Sequence, residues 1–70
     1  MFERIVQFED GTYGVKRGII TIEYLDTAPG HHFWWNTPSN VRKYCRFKTI
    51  EGAKKKYQTT LEREKILEWL

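Results

Sequence analysis

At 70 residues with one cysteine, the chain is sized for a single domain, 1–70, and has no disulfide with which to brace it. Twelve basic residues against nine acidic ones leave a formal charge of +3, so the placement of charge matters more than its sum. No apolar run approaches the roughly 18 residues a membrane span needs, and a lone thiol suits a reducing, cytoplasmic setting.

A chain this short buries only about 60% of the surface its unfolded form exposes, so the core needs a supplement. Aromatic residues, 16% of the chain, are one candidate. Self-association is another.

Residues 2–9, FERIVQFE, alternate with period two and read as a first strand rather than a signal peptide. Asp10-Gly11 signals a two-residue type I′ hairpin. Strand two, 12–17, then pairs Phe8 with Tyr13, Val6 with Val15 and Arg4 with Arg17. The last pair sets two guanidiniums opposite each other, which either splay into solvent or hold an anion between them. Residues 18–26, GIITIEYLD, read as a third strand, and Pro29-Gly30 as a turn. A fourth strand, HHFWW at 31–35, ends in the loop NTPSN. In that strand Trp34 and Trp35 point to opposite faces, one to the core and one to a ligand or an oligomer partner.

A fifth strand, VRKYCRFK at 41–48, would bury Val41, Cys45 and Phe47 and leave Lys43 a misfit on that side. Its outward stripe, Arg42, Tyr44, Arg46 and Lys48, is the most ligand-like surface of the sequence. Thr49 then N-caps a helix with Glu51 in its first turn. Ile50, Ala53, Tyr57 and Leu61 form the helix's buried face, and Lys54, Lys55 and Lys56 its solvated side. Ile66, Leu67, Trp69 and Leu70 fall out of phase with that face. Either the helix breaks near 58–60, where Thr59 and Glu62 have capping-box spacing, or one helix carries two apolar faces and joins a second copy. The expected fold class is α+β: an antiparallel sheet of three to five strands, then a C-terminal helix packed on one face.

No enzyme chemistry assembles from these residues. His31 and His32 point apart on a strand, so no metal site forms, and no base is placed beside Ser39 or Cys45. No glycine-rich phosphate loop and no cofactor motif are present.

YCRFKTIEGAKKKY, residues 44–57, resembles the strand-to-helix junction of the three-stranded-sheet DNA-binding domains, the integrase arm-binding and AP2-like families. The positions that carry the resemblance are Phe47, Thr49, Ala53 and Tyr57, with TYGVKRG resembling the basic first strand. The resemblance implies a phage or mobile-element protein, in the host cytoplasm if phage-encoded. It also implies DNA read by the sheet face away from the helix, through Lys16, Arg42, Arg46 and one of the tryptophans. Glu3, Gln7 and Glu23 are expected to share that face and oppose phosphate. Two further readings stand beside it. One is a phage counter-defence protein binding an anionic nucleotide or a host protein, with Arg4 and Arg17 or the 42–48 stripe on phosphate and Trp34 or Trp35 on the base. The other is an assembly module working through the C-terminal face.

Overall fold

Four strands and two helices fill the computed structural model, which describes residues 3–62. Strand β1 (Arg4–Gln7) pairs antiparallel with β2 (Tyr13–Arg17), setting Ile5 opposite Val15 and Gln7 opposite Tyr13. Arg4 lies opposite Lys16, one residue away from the expected Arg4–Arg17 pair. The turn explains the shift. The loop has three residues, not two: the Phe8 amide donates to the Thr12 carbonyl at 2.7 Å, and the Gly11 amide to the Phe8 carbonyl at 3.0 Å. Within the turn only Gly11 takes a positive φ, +86°, so the corner is a type I turn closed by a glycine bulge. Asp10 favours it, because Oδ1 accepts from the Thr12 amide at 3.0 Å and from the Thr12 hydroxyl at 2.5 Å. A slip of one residue moves a whole strand's side chains to the other face.

Strands β3 (Glu23–Leu25) and β4 (Trp34–Trp35) complete an antiparallel sheet ordered β1-β2-β3-β4. The expected fifth strand is not there. Residues 38–44 form helix α1 (Pro38–Tyr44), and extended pairing survives only at Phe47, which exchanges two backbone hydrogen bonds with Tyr13. Proline at the start of a helix carries the right φ and lacks an N–H that would have had no partner. The Thr37 carbonyl accepts from the Val41 amide, and Arg42 and Lys43 in the last turn suit the helix dipole. Val41 and Cys45 are both buried, as expected of a strand, but a separation of four residues serves a helix equally well.

Helix α2 (Ile50–Glu62) starts where Thr49 Oγ1 accepts the Gly52 amide at 3.0 Å. It runs without a break through 58–60, and the Thr59 hydroxyl bonds back to the Lys55 carbonyl instead of capping a new helix. Ala53, Val15, Leu25 and Phe47 form the core, with Ile5, Tyr13, Trp34 and Tyr57 packed around them. Leu61, expected in the buried stripe, is exposed. Lys56, expected in water, is buried. Its Nζ donates to the carbonyls of Asp26, Ala28 and His31 at 2.5–2.7 Å, closing the loop after β3 onto the helix. The expected oligomer residues Ile66, Leu67, Trp69 and Leu70 lie outside the described residues. Among the described residues, no helix is long and apolar enough to cross a membrane.

Candidate functional site

The register sorts the side chains of the sheet into two sets. Ile5, Val15, Leu25 and Trp34 face α2, and Glu3, Gln7, Arg17 and Glu23 share their parity. Arg4, Val6, Lys16, Tyr24 and Trp35 therefore face the other way. The acids that would have opposed phosphate on this outer face, Glu3 and Glu23, fall on the helix side.

Helix α1 borders the outer face and divides it into two clefts. The first, about 460 Å³, is lined by Phe8, Lys16, Ile22, Tyr24, Arg42 and Arg46 together with Asn36, Pro38 and Val41. Phe8 lies across Gly14, where a Cβ would come within 2.7 Å of the ring, and its centroid is 5.6 Å from that of Tyr24. Arg46 spreads its guanidinium 4.7 Å over Phe8 and pairs with Asp10, and Lys16 Nζ sits 5.8 Å from the Tyr24 centroid. Arg46 Nε is buried with no hydrogen-bond partner among the described residues, so one donor of the fork is unused. Hydrogen bonds from the Thr12 hydroxyl and amide, with Arg46 behind them, hold the Asp10 carboxyl down at about 2.

The second cleft, about 420 Å³, is lined by Asp26, Thr27, Ala28, His31, Phe33, Trp35, Lys43 and Tyr44. Trp35 and Tyr44 stack at 5.1 Å between centroids and 23° between planes. Phe33 lies 6.2 Å from Trp35 and His31 6.1 Å from Phe33, so four rings run along the β4 edge. Lys43 Nζ is 5.2 Å from the Tyr44 centroid. Asp26, buried at the back of this cleft, is fully engaged: Oδ2 accepts from Trp35 Nε1 at 2.8 Å and Oδ1 from the Ala28 amide at 2.7 Å.

Of the residues singled out from sequence, Lys16, Arg42 and Arg46 meet in the first cleft, and Trp35 and Tyr44 in the second. Arg4 shares their face through its pairing with Lys16. Trp34 and Arg17 do not join them. Trp34 packs on the core, and Arg17 lies 3.9 Å over its ring while bonding Glu23 at 2.9 Å. Arg4 and Arg17 therefore cannot hold an anion between them. Lys48 is exposed beyond Phe47, and the stripe expected along 42–48 is dispersed over a helix, a loop and a bridge. Phe8, Tyr24, Phe33 and Lys43 were not singled out. Their aromatic or cationic character was visible, but their grouping depends on the turn at 9–11 and on α1.

The buried Cys45 thiol is pushed up to about 12, first by burial and then by the Asp26 charge, and is no nucleophile at neutral pH. Among the described residues, no group of three or more His, Cys, Asp or Glu is placed to hold a metal ion. Comparison of the chain with protein-family models, curated proteins and solved structures gives no match.

Proposed function

We propose that the protein is a non-catalytic nucleic-acid-binding domain that takes the phosphate backbone on the sheet face turned away from α2. The observation that carries this reading is the gathering of Lys16, Arg42 and Arg46 in one cleft with Phe8 and Tyr24, while Glu3 and Glu23 lie on the opposite face. Cations on a face whose acids, Asp10 and Asp26, are already engaged within the protein attract a polyanion, and counterion release supplies much of the affinity. Among the described residues, Asp10 is the acid paired with this set, through Arg46. A phosphate would have to displace it.

Titrating a labelled oligonucleotide over a salt series tests the reading. If about four phosphates are contacted, log affinity falls against log salt with a slope of about −3 to −4. A flat response eliminates it. The volume of the first cleft favours a second reading, a counter-defence protein that sequesters an anionic nucleotide, because pockets for small ligands run from about 300 to 1,000 Å³. Calorimetry against linear and cyclic nucleotides separates the two, since this reading requires saturable heat from a mononucleotide and the first does not.

A further inference from the structure

Building on that reading, we propose that the nucleic acid is single-stranded, and that Phe33 is the outer plate of a base-stacking ladder along the β4 edge. Three cations of the outer face are laid against the protein's own rings: Lys16 against Tyr24, Arg46 against Phe8, Lys43 against Tyr44. Side chains held flat in this way meet phosphates well. They do not project as a helix or ribbon must to reach base edges in a major groove. Helix α1 also stands between the two clefts and makes the outer face a pair of troughs rather than one smooth bed for a rod of duplex.

The rings supply the second half of the argument. Phe33 is 61% exposed, although Trp35, two residues on, offers it a neighbour. A large apolar ring held in water in the same cleft as Lys43 fits a surface that is covered on binding. A base in duplex has its faces covered by its neighbours. Only an unpaired base offers a π-face to Phe33, at about 1–3 kcal/mol per stacked base, roughly 5- to 150-fold in affinity. The single acid of this cleft, Asp26, has both oxygens engaged within the protein, and Lys43 is exposed at its rim to meet the adjoining phosphate. The strand would then pass from the ring-lined trough to the cation-lined one across α1.

The test is fluorescence anisotropy with labelled dT and rU oligomers and a duplex of equal length, run on the full chain and on Phe33→Leu and Phe33→Trp. Either single strand is expected to bind at least about tenfold tighter than duplex, the better of the two naming DNA or RNA. Phe33→Leu is expected to weaken single-strand binding about tenfold while melting as the parent does, and Phe33→Trp to retain it. Duplex binding as tight as single strand overturns the inference and leaves the phosphate-binding face standing. Phe33→Leu binding as well as the parent overturns the ladder in the same way. Binding of none of the three oligomers removes the inference and the proposed function together.

Discussion

The two faces of this sheet are built from one alternating pattern and end in opposite states. Toward α2, Val15, Leu25 and Ala53 are closed to water, and in the ion pair Arg17–Glu23 on that side the guanidinium lies over Trp34. On the outer face Phe8, Tyr24, Trp35 and Tyr44 are only half buried, and cations lie against three of those rings. The closed face supplies the hydrophobic stabilisation a 70-residue chain needs. The outer face holds aromatic area in reserve, kept in place by a short helix and by cation–ring contacts worth about 0.5–1 kcal/mol each where exposed. Stability thereby falls to one side of a single layer, and the binding proposed above to the other.

Substitutions on the two sides should separate these properties. The largest effect belongs to the closed side. Lys56→Ala strips three loop carbonyls of their donor and should cost about 3 kcal/mol in urea unfolding, whereas Lys55→Ala, on the exposed side of α2, should stay within about 0.5 kcal/mol. Equal effects at the two lysines would mean that the ammonium does not fasten the loop.

A smaller effect is expected on the outer face. Gly14→Ala drives a methyl into the ring of Phe8 and should cost about 1–2 kcal/mol in the same measurement. It also moves the ring that carries Arg46, so oligonucleotide affinity should drop with it. Unchanged affinity would detach Phe8 from the site.

The smallest effect is at the hairpin tip. Asp10 has its folded carboxyl depressed from 3.8 to about 2, so its contribution is complete above pH 4 and is lost as pH falls through 2. Asp10→Asn should flatten the dependence of melting temperature on pH between 4 and 2. It should also raise affinity for phosphate at neutral pH, because Arg46 is released. A variant that melts with the parent's pH profile would show that Thr12 and Arg46 do not hold this carboxylate.

Much of the layer was legible in the sequence, and the departures have local physical causes. Period two in residues 4–7 and 13–17, broken by glycine, marked the first two strands. Asp-Gly serves a two-residue turn and a three-residue turn with a glycine bulge alike, and the bonds from Thr12 to Asp10 decide between them. Residues 41–48 misled because positions 41 and 45 fall on one side under period two and under period 3.6. The distinguishing signal was Thr37-Pro38, a helix start, and reading 38–44 as helix would also have placed Lys43 in water, where it belongs. Lys56 was not legible at all. A lysine in a run of three reads as solvated, and the carbonyls it meets lie 25 to 30 residues earlier in the chain. Of the outer-face site, the cations Lys16, Arg42 and Arg46 were readable one by one. The rings beside them depend on which residue closes the first hairpin.

The ammonium of Lys56 also acts as an index mark along the helix. Sliding α2 by one turn in either direction would bring Gly52 or Thr60 beneath the three carbonyls, and sliding it by three residues would bring Ala53 or Thr59. None of these carries a positive charge, so each misalignment leaves the oxygens facing a neutral group, and one axial setting is favoured over its neighbours. Because the same loop leads into the ring-bearing edge at 31–35, that edge is fixed within the fold itself, which would spare the ordering cost of the binding proposed for it.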